Sequence, residues 1–239
     1  MQRKKFYLNI YQSLNKIMMR LFLVVSFLSL TLSTIAQKRR YTTTSGELIF
    51  SKADYQVNGA KIATPLRFSC FFHFGSYGHI DVTKHFGLYS GVAMRNVGFT
   101  SSKGDTLVKR RNYYVGFPVA IKIGNLKQNE YVYLGVEADL AFNYKEKVFI
   151  DERRVDRFNI WFSDRTNTFM PSAFVGMNFE SGLNIKFKYY LRDFYNKEYS
   201  SNLGKVYENT TSQMFYFSLS MNVMDNFFKD TAKIYNKGI

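Results

Sequence analysis

The chain has 239 residues, with 33 Lys plus Arg against 18 Asp plus Glu, a formal net charge of +15, and 18% aromatic residues. Its one cysteine, Cys70, excludes an internal disulfide framework, so any core must come from packing or from a membrane. The basic balance favours anionic surfaces such as phosphorylated lipid head groups or nucleic acid.

At the N-terminus, Arg20 precedes the apolar run LFLVVSFLSLTL (21 to 32), and Thr34 and Ala36 are the small residues expected before a cut between Ala36 and Gln37. Residues 1 to 36 are therefore expected to be a cleaved signal peptide, because the run is shorter than the roughly 20 apolar residues of a spanning helix. Met18-Met19-Arg20 alone would make a compact signal start, so Met1, Met18 and Met19 all stand as possible starts. Removing 1 to 36 leaves 28 basic against 18 acidic residues, a net of +10. Export argues against nucleic acid as the partner.

Beyond residue 36 the dominant signal is alternation in steps of two, the mark of half-buried strands. Residues 46 to 56, GELIFSKADYQ, carry it weakly. In 66 to 75, Leu66, Phe68, Cys70, Phe72 and Phe74 share one face and Arg67, Ser69 and His73 the other. In 86 to 99, Phe86, Leu88, Val92 and Met94 alternate with Gly87, Tyr89, Gly91, Ala93 and Arg95. In 113 to 124, Tyr113, Val115, Phe117, Val119, Ile121 and Ile123 oppose Gly116, Pro118, Ala120 and Lys122, and Pro118 predicts a bulge or a missing ladder bond. In 131 to 142, Val132, Leu134, Val136, Ala138, Leu140 and Phe142 oppose Gly135, Glu137 and Asp139. Segments 169 to 179, 183 to 192 and 213 to 223 repeat the pattern, with Lys186 and Lys188 on the polar side of the second.

Eight strands result, joined alternately by short and long connections. The short ones are GSYGHIDVTK (75 to 84), NLKQN (125 to 129) and ESG (180 to 182), and the long ones include 100 to 111, 146 to 166 and 193 to 212. Short turns at one end and long loops at the other predict an all-β fold, an eight-stranded antiparallel up-and-down transmembrane β-barrel over 46 to 223. A periplasmic segment, 37 to 45, is expected before it and a periplasmic tail, 224 to 239, after it.

The polar face decides which side looks into lipid. It holds Gly, Ala and Ser with isolated charges, which suits a narrow lumen that side chains fill. Arg67, Arg95, Lys122, Lys186 and Lys188 are expected there, with Glu137 and Asp139 as counter-ions and Lys122 seeking one of those two, since an unpaired buried charge is costly. Tyr113, Tyr131, Phe169, Phe179 and Tyr189, near strand ends, are expected in interfacial girdles.

Two segments outside this pattern carry possible chemistry. His73, His79 and His85 with Asp81 match no zinc signature and read as a polar turn with one lumen histidine. In KVFIDERRVDRFNIWFSDRTN, Arg153, Arg154, Arg157, Trp161 and Arg165 suit an external surface for lipid phosphate or a protein partner. The same residues also suit a self-paired charged loop that packs its aromatics over the barrel mouth. No catalytic, metal or cofactor motif is present in the sequence.

GELIFS (46 to 51), FGLYSGVAMRNVGF (86 to 99), YYVGFPVAIKIGN (113 to 125), WFSDRTN (161 to 167) and NIKFKYYLRDF (184 to 194) resemble the PorT-like outer-membrane β-barrel proteins of the Bacteroidota. The resemblance implies an outer-membrane location and a non-enzymatic scaffold or accessory role in envelope assembly or protein secretion. The implied partners are outer-membrane lipid or lipopolysaccharide and envelope or secretion-machinery proteins. A narrow small-solute channel is the second reading and a lipid-modifying enzyme the third.

Overall fold

The computed structural model describes residues 39 to 202 and 204 to 225. The expected signal peptide and all but the first two residues of the expected C-terminal tail lie outside the described residues.

Thirteen strands follow one another along the described chain. They are β1 (Arg39–Val57), β2 (Ala60–Lys61), β3 (Arg67–Ser69), β4 (Phe74–Asp81), β5 (Phe86–Lys103), β6 (Thr106–Asn125) and β7 (Glu130–Ile150), then β8 (Arg153–Trp161), β9 (Phe169–Asn178), β10 (Leu183–Asp193), β11 (Ser200–Ser201), β12 (Gly204–Lys205) and β13 (Thr210–Asp225). Eight of them, β1, β4, β5, β6, β7, β9, β10 and β13, form an antiparallel meander, and pairing of β13 with β1 closes the ring. Closure leaves no edge strand at the level of the β4–β5 pairing. The seam is long, running from Thr42↔Asp225 to Val57↔Thr210.

Alternation sets the two faces. On β6, Phe117, Val119, Ile121 and Ile123 are exposed while Gly116, Pro118, Ala120 and Lys122 are buried. On β7, Leu134 and Val136 are 58% and 61% exposed, against 3% for Glu137 and 0% for Asp139. The outer face is thus an apolar belt about nine residues tall on each long strand, the height of a tilted membrane-spanning strand. Apolar surface this extensive and contiguous marks an interaction with something other than water.

Inside, the lumen is filled in three layers. At the end where the short turns 82 to 85, 126 to 129 and 179 to 182 lie, Tyr131, Tyr133 and Phe174 pack with Tyr89. At the opposite end, Tyr55, Phe99, Tyr114, Tyr144, Tyr190 and Phe194 pack with Tyr195 and Tyr216. Charged side chains occupy the level between them.

The ends differ from the sequence reading. β5 and β6 continue to a two-residue turn at Gly104-Asp105, so 100 to 111 is a hairpin and no long loop. Residues 146 to 166 likewise fold mostly as a β7–β8 ladder turning at Asp151 and Glu152, both with positive φ, 47° and 62°. β1 begins at Arg39, so residues 39 to 45 belong to the barrel's first strand instead of preceding it. The expected ten-residue turn 75 to 84 is mostly β4, and 66 to 75 is broken at 70 to 73, where Phe72 has a φ of 61°. Tyr131, expected in a girdle, is buried in the lumen. At Pro118 the β5–β6 register holds from Ser90↔Val119 to Ala93↔Gly116 with the two pairs between them missing, so ladder bonds are lost without a bulge. Ser90 Oγ donates instead to the Pro118 carbonyl at 2.8 Å.

Candidate functional site

The middle layer is a closed ionic network of three cations and three carboxylates. Arg95 on β5 lies between Glu47 on β1 and Glu137 on β7, donating from Nη2 to Glu47 Oε1 at 2.9 Å and from Nη1 to Glu137 Oε1. Lys186 reaches the same Glu47 at 3.0 Å. Lys188 bridges Glu137 at 2.8 Å and Asp139 at 2.5 Å. Tyr77 Oη accepts from Arg95 at 3.0 Å, and Ser172 Oγ donates to the Glu137 carbonyl oxygen at 3.1 Å. All six charged side chains are buried. Formal charge cancels, which is what permits ions to be buried between two aromatic layers.

A second, smaller cluster sits nearer the short-turn end. Lys122 Nζ lies 2.6 Å from Asp81 Oδ1, donates to Tyr41 Oη at 2.8 Å and is 3.3 Å from His79 Nδ1. His79 stacks on Tyr41 at 4.6 Å and meets Thr43 Oγ1 at 2.9 Å. Lys122 therefore pairs with Asp81 and not with Glu137 or Asp139. The reason is local: Gly87 lies between Asp81 and Lys122 in the two registers, and a Cβ there would stand 2.6 Å from Lys122 Cε. The missing side chain lets the lysine cross to the acid.

Of the seven expected lumen charges, five belong to the first network and Lys122 to the second cluster, while Arg67 lies outside both. It reaches β5 instead, donating to Asn96 Oδ1 at 2.9 Å. Glu47, the acid that binds both Arg95 and Lys186, was not among the expected residues, although it shares parity with buried Ser45, Ile49 and Ser51. Asp81, expected in the 75 to 84 turn, is the last residue of β4. Both His73 and His79 are buried, where one lumen histidine was expected, and His85 is exposed at the turn.

The expected external residues do not form one surface. Arg153, Arg154 and Arg157 are exposed along β8. Trp161 stacks on Phe142 at 5.9 Å on the outer face. Arg165 lies over the Phe158 and Tyr199 rings, at 5.0 and 5.5 Å. Phe158 packs against Tyr144 of the lumen cluster, so this stretch contributes both to the mouth and to the outer face.

No family model and no curated protein matches the chain. Among solved structures it is similar to two of Ail, the attachment invasion locus protein of Yersinia pestis. The one in complex with the heparin analogue sucrose octasulfate has a TM-score of 0.40 and 9% identity, covering 77% of this chain and 99% of that one. The other has a TM-score of 0.36 and 10% identity, covering 77% and 98%. Likeness of that degree carries no functional argument, and the fold rests on the strand pairing itself.

Proposed function

We propose that this protein is an outer-membrane β-barrel that acts as a PorT-like, non-enzymatic scaffold or accessory in envelope assembly or protein secretion. The observation that carries the reading is the pairing of an apolar outer belt with a charge-balanced, aromatic-capped lumen. Such a barrel is solvated by lipid outside and by its own side chains inside. What it offers to other molecules is its outer surface and the β7–β8 ladder beyond the belt.

A small-solute channel is disfavoured by the same filling. The lumen cavity beside Glu47, Tyr77, His79 and Lys186 measures about 30 Å³, room for about one or two waters. The scaffold reading is tested by crosslinking in native membranes followed by pull-down. Envelope or secretion-machinery proteins crosslinked through β8 are expected, and loss of those crosslinks on replacing Arg153, Arg154 and Arg157 would assign the contact to that strand. Extraction of the protein in soluble form without detergent would overturn the membrane placement.

A further inference from the structure

The barrel wall has a notch. β4 and β5 pair from Asp81↔Gly87 to Phe74↔Met94. Further up, β3 pairs with β1, Arg67–Ser69 against Ser51–Ile49, and does not pair with β5. β5 next meets this segment at the single bridge Ala63↔Ser102. In the gap, side chains satisfy its backbone. Ser51 Oγ donates to the Gly98 carbonyl at 2.6 Å, Arg67 Nη1 donates to the Asn96 carbonyl at 3.4 Å, and the Asn96 N–H donates to His73 Nδ1 at 3.2 Å.

Residues 65 to 72 form one wall of a cavity of about 750 Å³ at this notch. That wall is largely apolar, with Leu66, Phe68, Phe71 and Phe72 all more than half exposed, and it adds one cation, Arg67. The facing wall is cationic, formed by Lys109 and Arg111 of β6 and Lys145 and Lys147 of β7. No carboxylate lines the cavity. Among the described residues none of these four cations has an ion-pair partner.

The cations are arranged against each other. Lys109 is directly opposite Lys147, Arg111 is opposite Lys145, and Lys147 is in turn opposite Arg157 of β8. Like charges directly across an antiparallel pair destabilise it. The cost shows in Lys147, which titrates below the ordinary lysine range through partial desolvation and then the charges of Arg111, Arg157, Arg154 and Lys109. Two such rows, stacked on one face, need anions to balance them.

Directly beneath the rows lies the top of the apolar belt. The Tyr113 ring lies 5.6 Å from the Arg111 guanidinium and 4.9 Å from Lys145 Nζ, and it packs edge-on to Phe72 at 5.8 Å. Tyr113 also meets Phe142, which stacks on Trp161. Cations above and phenyl rings below, within one cavity, are complementary to an amphiphile with an anionic head.

We propose that this notch binds a phosphate-bearing lipid of the surrounding leaflet, with phosphate between the Lys109–Lys147 and Arg111–Lys145 rows and acyl chain along Leu66, Phe68 and Phe72. The inference rests on the membrane placement proposed above. It differs in assigning lipid phosphate to the β6–β7 face and not to Arg153 and Arg154.

Trp161, the chain's one tryptophan, is the reporter. The full chain is reconstituted in phosphatidylcholine vesicles containing a small, equal fraction of either brominated phosphatidylglycerol or brominated phosphatidylcholine, and quenching of Trp161 is compared. Apparent local enrichment of the anionic lipid by at least about tenfold is expected, since a Lys or Arg at a membrane surface contributes roughly several-fold each and two of the four cations already suffice. The variant K109Q/R111Q/K145Q/K147Q should lose that enrichment while keeping its quenching by the zwitterionic lipid. K109R/K147R should retain it, and R153Q/R154Q should leave it unchanged. Equal quenching by both lipids in the parent chain overturns the site and leaves the membrane barrel standing, whatever the variants do. Quenching by neither overturns the membrane placement and the site with it. Abolition of the lipid preference by a stoichiometric soluble sulfated sugar, at high salt that leaves the sugar bound, would assign the rows to a soluble polyanion and overturn the lipid.

Discussion

Replacing Arg95 by methionine tests whether the lumen network is held by charge balance. Arg95 touches two carboxylates, Glu47 and Glu137, and each keeps one lysine as its ion-pair partner once it is gone. Three acids then face two cations in a lumen with no bulk water. At a separation of about 3 Å and an effective dielectric near 20, one charge pair attracts by about 5–6 kcal/mol. Desolvation of the arginine offsets much of this, so the expected net loss is about 3–5 kcal/mol, the range for stripping one partner from a buried pair. The assay is equilibrium urea unfolding from lipid vesicles, followed by Trp161 fluorescence and gel mobility. The double variant R95M/E137Q is the decisive arm, because it leaves two matched pairs, Lys186–Glu47 at 3.0 Å and Lys188–Asp139 at 2.5 Å. It should be more stable than the sum of the two single losses by about 1–3 kcal/mol. Additivity within about 0.5 kcal/mol, or a single R95M variant as stable as the parent, would refute charge balance as the reason for the network.

Four further outcomes follow from the same geometry. Gly87→Val would push its side chain into the space Lys122 uses to reach Asp81, and a loss of about 1–3 kcal/mol in the same unfolding assay is expected, with Gly87→Ala giving less. Gly116→Ala would set a methyl against the carboxylates of Glu137 and Asp139, so it should destabilise by a comparable about 1–3 kcal/mol and do so less when combined with E137Q. In planar bilayers the purified protein should show no conductance steps, and stable steps would refute a filled lumen. Cys70, exposed beside Phe71 and Phe72, should place an environment-sensitive thiol dye in apolar surroundings in vesicles, and a fully aqueous emission would contradict the outward-facing notch.

Much of the barrel was readable from parity alone, and its failures have physical causes. Tyr131 ends a strand, which predicts a girdle, yet it shares parity with Tyr133, Glu137 and Asp139 and lies inside with them. Parity outweighed position. β1 alternates weakly because its pattern inverts partway. Leu48 faces outward in the belt, whereas higher up the buried positions are Ala53 and Tyr55 and the outward ones are Lys52 and Asp54. The strand leaves lipid for water there, so the apolar side changes face. The same inversion disguised the upper halves of β5, β6 and β7 as loops. The partner of Lys122 was not legible, because a barrel's stagger and a gap at Gly87 decide which acid a lysine reaches, and neither is written in the spacing of one strand.

The notch shows how a break in a strand can leave the hydrophobic pattern intact. Leu66, Phe68, Cys70, Phe72 and Phe74 keep one outward parity although β3 ends at Ser69 and β4 starts at Phe74, because the outer side is apolar on both sides of the break. A register slip across a buried face would have turned aromatics inward and been resisted. The trace of the break in the sequence is Phe71, an aromatic out of phase, followed by Phe72 in the left-handed region without glycine's freedom. A bulky residue holds such a conformation only where the surroundings reward it. Here the Phe72 ring packs on Tyr113, directly beneath the opposed Arg111 and Lys145, so backbone strain and charge repulsion converge on one cavity. Two separate costs at the same place are what a binding site imposes on a fold.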